Sequence, residues 1–418
     1  MKCNSIKKIC AREILDSRGI PTVEACVTLE DGTSGVASVP SGASTGQYEA
    51  LELRDGNKRY MGKGVLNAVS NITKKISPAL EGVNVCCSRE IDYILCELDG
   101  SRNKKHLGAN ATLAVSLACA KAAANYIHVP LYRYIGGAYA CRLPVPMMNI
   151  LNGGAHASNN IDIQEFMIVP VGASCFSEGI RMGSEIYYTL KELLKNKGLS
   201  TAVGDEGGFA PDIEDDESAI KLICEAISEA GYEGSVKIAL DIASSEWFDG
   251  ENYKLPKRNV IMTTLDLIDY YDSLCDKYPI CSIEDGLADT DDGGWVALTK
   301  KLGSRSMLVG DDYFVTDNDR LKKGIEIGAA NAILIKPNQI GTLSETICAI
   351  NTAKLYGYKF IPSHRSGETE DTYLADIAVG TGASFIKTGA PCRSERLAKY
   401  NRLLRIEGSL GICAEYGS

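Results

Sequence analysis

The chain has 418 residues, 45% of them apolar and 23% charged, which is typical of a globular protein of about two domains. A net charge of −10 argues against nucleic acid or an anionic membrane as a main partner, and no apolar run reaches the ~18 residues of a spanning helix. Any anion that this acidic chain binds must therefore meet a local positive pocket of Lys, Arg or metal.

The fifteen cysteines and the N-terminus predict a cytoplasmic protein. The opening MKCNSIKK lacks the apolar segment of a secretory signal, and no CxxC pair or Cys/His cluster favours a disulfide framework or a zinc site. Cys119, Cys224 and Cys348 stand in apolar runs, so we interpret them as small buried apolar side chains.

The first third of the chain predicts a small α+β domain, residues 1–137. In residues 6–40, apolar and polar positions alternate as in a β-meander, and Asp31-Gly32 supplies a hairpin turn. A small-residue loop, SGASTG, follows; it lacks the Lys of a nucleotide-binding P-loop. Helical patterns then occupy about 64–80, 88–98 and 110–126.

From Leu143 onwards, strand patterns alternate with helix patterns, which predicts an α/β barrel over residues 138–418. Three candidate strands at 145–151, 165–171 and 201–205 precede six more. That makes nine candidates for an eight-stranded barrel, so one must lie outside it. The predicted helices are 176–196, 215–230, 264–276, 342–355 and about 393–407.

Each of the six later strands ends in one polar residue. Chemistry in βα-barrels takes place at the carboxyl ends of the strands, so we interpret these residues as functional. Three carboxylates come first, followed by Lys, His and Lys, which predicts Mg²⁺-assisted chemistry on an acidic substrate. The six residues are Asp241, Glu284, Asp311, Lys336, His364 and Lys387.

The chain resembles the enolase family along almost its whole length, from AREILDSRG near residue 11 to KYNRLLRIE near 407. One shared block would be a weak sign, but nine in order are a strong one. The blocks are VPSGASTG, MMNILNGGAHA, QEFMIVP, VGDEGGFAP, SIED, VGDD, ILIKPNQIGT, SHRSGETED and IKTGAPCRSER.

The resemblance implies a fold and a reaction. The fold is α/β: a small α+β N-terminal domain, then an eight-stranded enolase-type TIM-like barrel ordered as two strands, two helices and six βα units. That order leaves 201–205 outside the barrel. The reaction is the Mg-dependent, reversible dehydration of 2-phosphoglycerate to phosphoenolpyruvate in glycolysis. The resemblance also implies a homodimer or a higher homo-oligomer built from dimers.

The resemblance further implies two Mg²⁺ ions per active site. Asp241, Glu284 and Asp311 resemble the ligands of the tighter ion, and Ser44 resembles a ligand of the second. Three carboxylates at neighbouring strand ends repel one another, and a divalent cation removes that cost.

Lys336 resembles the catalytic base, and we expect nearby Mg²⁺ and burial to lower its pKa. Glu206 resembles the general acid, with Glu165 beside it, because two close carboxylates raise one pKa and keep a proton available.

The remaining matched residues resemble substrate-binding groups. Arg365 and Ser366 suit a phosphate, and Lys387 suits the substrate carboxylate. His156 lies in NGGAHASNN, which resembles a mobile lid. The full predicted substrate-binding set is His156, Glu165, Glu284, Asp311, His364, Arg365, Ser366 and Lys387.

Three departures from the family pattern and two other functions stay open. Ile20 stands where Asn is usual, Gly286 where Pro is usual, and Pro337 where a bulkier apolar residue is common. Another Mg-dependent superfamily enzyme, such as an acid-sugar dehydratase or a cycloisomerase, would not need SHRSG, GDEGG and Ser44 together. Capture of host protein at the cell surface often relies on a C-terminal Lys, whereas this sequence ends in Tyr-Gly-Ser.

Overall fold

The structure is a computed structural model that describes residues 3–42, 46–157 and 159–417. It begins with a three-stranded antiparallel sheet, as the alternating pattern predicts. Its inward-facing residues, such as Val23 and Val27, are fully buried, and Gly32 turns the second hairpin with φ of 90°. The strands are β1 (Ile6–Leu15), β2 (Pro21–Leu29) and β3 (Ser34–Ser38).

Helices pack on this sheet. A Cβ atom on Gly35 of β3 would lie 2.3 Å from the carbonyl oxygen of Ala118, so this strand and the alanine-rich fourth helix approach more closely than larger residues allow. The helices are α1 (Leu66–Asn71), α2 (Ser77–Leu80), α3 (Ser88–Asp99), α4 (Ala109–Tyr126) and α5 (Leu131–Gly136), with a π-helical turn at Ile72–Ile76 joining the first two.

The rest of the described chain forms a nearly closed eight-stranded barrel with helices around it. The strands of this part, in chain order, are β4 (Arg142–Leu143), β5 (Val145–Asn152), β6 (Glu165–Val169), β7 (Lys237–Asp241), β8 (Tyr253–Leu255), β9 (Val260–Met262), β10 (Ile280–Glu284), β11 (Met307–Gly310), β12 (Ala332–Ile335), β13 (Lys359–Pro362), β14 (Phe385–Lys387) and β15 (Glu415–Tyr416). Four of them lie outside the barrel in two small sheets, in which β4 pairs with β15 and β8 with β9. The helices are α6 (Phe176–Asn196), α7 (Asp216–Glu229), α8 (Thr264–Lys277), α9 (Asp292–Leu302), α10 (Asn318–Ile327), α11 (Leu343–Leu355), α12 (Tyr373–Thr381) and α13 (Ser394–Leu410).

The strand order around the barrel is β13-β12-β11-β10-β7-β6-β5-β14. Strand β6 runs antiparallel to β5 and β7, and the other neighbouring strands are parallel. A bridge between Ser363 and Lys387 brings the two end strands together. The fold class and the order of two strands, two helices and six βα units are confirmed.

Residues 201–205 are not a strand. Val203 makes one isolated bridge with Phe209, outside the barrel sheet, as the resemblance implied. The domain boundary at 137/138 stays a prediction.

The interpretation of the cysteines was correct for only one of the three examples. Cys119 is buried, but Cys224 is half-buried and Cys348 is exposed on α11. An apolar neighbourhood in sequence did not place Cys348 inside, because its helix turns that position to the surface. Among the described helices, none combines the length and apolar character that crossing a membrane requires.

Candidate active site

Side chains alternate between the two faces of each barrel strand, and the predicted residues at the strand ends lie on the inward face. Nine apolar side chains fill the barrel interior, including Ala239, Val309 and Leu334. Side chains two positions apart share a face, so Asp241 continues the inward row of Ala239 and Lys336 that of Leu334. The barrel is therefore a packed core with polar groups at the carboxyl ends of its strands.

These polar groups surround a cavity of about 390 Å³. Glu284 is 1% exposed and lies beneath the ammonium group of Lys387. Ser44 lies outside the described residues, whereas Gly46 and Glu49, just after it in sequence, line the cavity. The predicted residues that line the cavity are His156, Glu165, Glu206, Asp241, Asp311, Lys336, His364, Arg365, Ser366 and Lys387.

Lys387 joins three buried carboxylates. Its Nζ lies 3.0 Å from Asp241 Oδ2, 2.8 Å from Glu284 Oε1 and 3.2 Å from Glu165 Oε2. Burial opposes a charge on this amine, but the carboxylates of Asp241, Glu165 and Glu284 raise its pKa well above the usual value. Burial, followed by the charge of Asp241, also raises the pKa of Glu284. Lys387 therefore stays positive and neutralises this cluster.

Lys336 donates a hydrogen bond to Asp311, and this contact changes its expected pKa. Burial is the strongest single influence and lowers the pKa of Lys336, but the charges of Asp311 and Glu284 act together with the hydrogen bond to Asp311, so the pKa lies above its usual value. The expectation of a lowered pKa concerns a site that also holds Mg²⁺ and stays a prediction; burial acts in the expected direction, but the bond to Asp311 opposes it. Gln339 holds the other oxygen of Asp311, with Nε2 at 2.9 Å from Oδ1.

Asp285 holds the backbone of Asp311 in position through hydrogen bonds, and the sequence interpretation had given it no role. Its carboxylate accepts the backbone N–H groups of Asp311 and Asp312, both at 2.9 Å. Its φ of 42° is in the left-handed region, which Asp tolerates better than most residues. Burial and the charge of Asp311 raise the pKa of Asp312 to about 7. The carboxylates of this group therefore disfavour each other's ionisation, which a bound cation would relieve.

The donor chemistry fits a hard divalent cation. Oxygen atoms of Asp285, Asp311 and Asp312 lie within 4.8 Å of one another, as do ligand atoms of His156, Glu165 and Glu206. The predicted ligands Asp241 and Glu284 are opposite each other in the register of β7 and β10, and Lys387 bridges them. Asp311, the third predicted ligand, instead bonds Lys336. Buried carboxylates that already need a positive charge can also be neutralised by Mg²⁺.

Glu165 and Glu206 form a second buried cluster with His364. Burial, together with the charge of Glu206, raises the pKa of Glu165 well above its usual value. Burial also acts to raise the pKa of Glu206, but the charges of His364, His156 and Arg396 lower it well below its usual value. Because burial lowers the pKa of His364 itself to about 4, the His364 part of that effect is weak at neutral pH.

The tautomer of His364 follows from its hydrogen-bond partners. Arg396 Nη1, which can only donate, lies 2.5 Å from Nδ1. The ring proton of the neutral form therefore sits on Nε2, which faces Glu206 Oε2 at 3.4 Å. Asn149 Nδ2 donates to the same Glu206 oxygen at 3.1 Å.

Arg365, the residue after His364, lines the cavity with its guanidinium group already engaged. Nη1 donates to Glu49 Oε2 at 2.9 Å and to Asn338 Oδ1 at 3.2 Å, and Nη2 donates to Glu49 Oε1 at 3.2 Å. Arg396 donates to the carbonyl oxygens of Arg365 and Ser366 at 2.6 Å and 2.5 Å, which fixes the backbone that carries both residues.

The sequence interpretation missed several residues that shape this site, among them Glu49, Asp285, Gln339 and Arg396. Three of these four, namely Asp285, Gln339 and Arg396, lie in blocks that carry the family resemblance: SIED, ILIKPNQIGT and IKTGAPCRSER. Those blocks could have indicated them. Glu49 lies in none of the blocks, and only the three-dimensional contact shows its part.

Two protein-family profiles match the chain. One is described as "Enolase, N-terminal domain" and matches residues 6–135. The other is described as "Enolase, C-terminal TIM barrel domain" and matches residues 140–418. Together they cover nearly the whole sequence.

Proposed function

The chain belongs to the enolase family and is a lyase of the enolase type, and on that premise we propose that it catalyses the reversible, Mg-dependent dehydration of 2-phosphoglycerate to phosphoenolpyruvate. In this reaction C2 loses a proton and C3 loses its hydroxyl group as water. The proton is weakly acidic because it lies next to a carboxylate that is already negative. Two Mg²⁺ ions, one held by Asp241, Glu284 and Asp311 and one by Ser44, would supply the positive charge that stabilises this carboxylate.

The observation that best supports this reaction is the position of the proposed base and acid across the barrel. Lys336 follows β12, and Glu206 adjoins Glu165 of β6. These strands are four places apart in an eight-stranded barrel, so they stand opposite each other. A substrate between them can lose its C2 proton to one side and its hydroxyl group to the other.

Lys336 accepts the C2 proton in this proposal, and it must be neutral to do so. Its bond to Asp311 favours the charged amine, so catalysis requires that the Asp311 carboxylate be engaged elsewhere. The same carboxylate is a proposed metal ligand, which links metal binding to activation of the base.

Glu206 donates a proton to the departing hydroxyl group. Its neighbour Glu165 has a raised pKa, so the pair retains a proton near neutral pH. Asn149 holds the Glu206 carboxylate through a hydrogen bond, and His364 Nε2 faces the same oxygen at 3.4 Å.

The remaining groups bind the substrate. Lys387 takes its carboxylate, Arg365 and Ser366 take its phosphate, and His156 closes the site. We further propose a cytoplasmic homodimer, or a larger assembly of dimers, because the family resemblance implies it.

The test is turnover of 2-phosphoglycerate with Mg²⁺, followed by the ultraviolet absorbance of the enol product. Lys336→Ala removes the base, so kcat should fall by about 10²–10⁴-fold. Lys104→Ala is the matched control: Lys104 is also buried and bonds a carboxylate, Glu345 Oε1, at 2.9 Å, but it does not line the cavity.

Normal turnover in Lys336→Ala would refute the assigned base. A wild-type protein inactive on 2-phosphoglycerate but active on an acid sugar would instead point to another reaction of the superfamily.

A further inference from the structure

The carboxylate of Glu49 accepts hydrogen bonds from the guanidinium group of Arg365, the residue to which we assign binding of the substrate phosphate. The two groups meet as a fork, with N–O distances of 2.9 Å and 3.2 Å. Both side chains are buried, at 6% and 4% exposure. Water therefore screens this contact little, and it is stronger than a surface ion pair.

The fork is also the geometry in which Arg binds a phosphate. Two parallel N–H groups suit two oxygens of either a carboxylate or a phosphate. Glu49 thus uses donors that a phosphoryl group would use, and its own negative charge repels that group at short range.

We propose that Glu49 is a built-in competitor for the phosphate site, which occupies Arg365 in the ligand-free protein and leaves it when a phosphoryl group binds. The proposal rests on the proposed function, because that function assigns Arg365 to the phosphate of the substrate. It adds a residue that sets the affinity of the site and takes no part in the reaction itself.

The surroundings of Glu49 give its carboxylate other partners when it leaves. Its Oε1 also accepts the Gly46 N–H at 3.1 Å and lies 3.4 Å from Gln339 Nε2. The next residue, Ala50, is anchored through its N–H to the Gln339 carbonyl at 2.8 Å. The Glu49 side chain can therefore leave Arg365 while its backbone stays in place, and its carboxylate still has hydrogen-bond donors nearby.

The experiment measures binding of inorganic phosphate by calorimetry at pH 7, without Mg²⁺. Glu49→Gln removes the competing charge and keeps the shape of the side chain, so it should bind phosphate at least tenfold more tightly than wild type. Glu13→Gln is the matched control, because Glu13 also meets a guanidinium group as a fork, that of Arg59, but does not line the cavity. Its affinity should stay within twofold of wild type.

A gain in affinity cannot come from general damage to the fold, so a tighter Glu49→Gln variant supports the proposal directly. Equal or weaker binding in Glu49→Gln overturns it. If Arg365→Gln abolishes phosphate binding in that case, the proposed function stands and only the role of Glu49 fails. If phosphate binds as well to Arg365→Gln as to wild type, the phosphate role of Arg365 fails, and the competitor role fails with it.

Discussion

The two sides of the cavity neutralise their charges in different ways. On the carboxylate side, Asp241, Glu284 and Asp311 are neutralised by Lys387 and Lys336, and all five lie at or next to ends of barrel strands. On the guanidinium side, formed by His364, Arg365 and Arg396, the counter-charge of Arg365 is Glu49, which is 316 residues from Arg365 in sequence and outside the barrel. One side is thus complete within the barrel, whereas the other needs the N-terminal part of the chain.

In both cases the protein supplies the charge that a ligand would otherwise bring. A cation that enters the carboxylate side competes with lysine, and an anion that enters the guanidinium side competes with glutamate. Ligand binding becomes an exchange of partners, which avoids leaving buried charges unpaired.

The largest expected effect is on the carboxylate side, at Lys387. Lys387→Met leaves the carboxylates of Asp241, Glu284 and Glu165 without their shared ammonium. Removing one partner of a buried ion pair costs about 3–5 kcal/mol, so the free energy of unfolding, measured with urea in the presence of EDTA, should fall by about that much. Mg²⁺ should restore much of the loss, because it neutralises the same oxygens.

Lys399→Met gives the matched control. Lys399 is buried and pairs with Glu368 at 2.7 Å, but it does not line the cavity. Its variant should also lose stability, with no greater response to Mg²⁺ than wild type. Equal recovery of both variants in Mg²⁺ would show that Lys387 does not stand in for a metal ion.

The guanidinium side should show a smaller effect, which depends on pH. Burial lowers the pKa of His364 to about 4, whereas an unfolded His titrates near 6.5. Between these values the unfolded chain binds more protons, so acid favours unfolding. Stability should fall as the pH drops from about 6.5 to 4, by up to about 3 kcal/mol from this residue.

The measurement is urea unfolding of wild type and His364→Asn at several pH values between 4 and 7.5. The difference in unfolding free energy between the two proteins should shrink as the pH falls. His106→Asn removes an exposed histidine, so its difference from wild type should change less with pH than that of His364→Asn. A His364→Asn curve parallel to that of wild type would mean that His364 does not stay neutral in the folded protein.

The contrast between the two sides also explains how much the sequence could predict. The carboxylate side follows from local pattern, because strand alternation and the parallel order place Asp241, Glu284 and Lys336 at one end of the barrel. The outline of the fold follows from the same periodicities, and the family resemblance adds the order of two strands, two helices and six βα units. The reversed direction of β6 was not predicted. The pattern at 201–205 looks like a strand, yet Val203 makes only an isolated bridge, because the barrel sheet already has its eight strands.

The guanidinium side could be predicted only in part. His364 and Arg365 follow a strand, but the partner of Arg365 is set by a contact between distant parts of the chain. No local pattern connects Glu49 with residue 365. The raised pKa of Lys336 escaped prediction for a similar reason, since it depends on whether Asp311 bonds the amine or a metal.

The smallest effect concerns Gln339, whose amide touches both sides. Its Nε2 donates to Asp311 Oδ1 at 2.9 Å and lies 3.4 Å from Glu49 Oε1, while Thr316 donates to its Oε1 at 2.8 Å. The amide is buried and cannot turn freely, and the same nitrogen contacts both carboxylates. A movement of the Asp311 carboxylate therefore alters the contact between this nitrogen and Glu49. Mg²⁺ should therefore change phosphate affinity partly through Gln339, and Gln339→Met should reduce that coupling.

A hydrogen bond of this kind contributes about 1 kcal/mol, so the ratio of phosphate affinities with and without Mg²⁺ should shrink by about fivefold in Gln339→Met. Asn338→Ala is the control: Asn338 accepts from Arg365 and thus lies on the guanidinium side. Its variant should change phosphate affinity itself but keep the ratio. If Gln339→Met keeps the wild-type ratio, Gln339 does not couple the two sides. Bound Mg²⁺ and phosphate would then influence each other only through their direct electrostatic attraction.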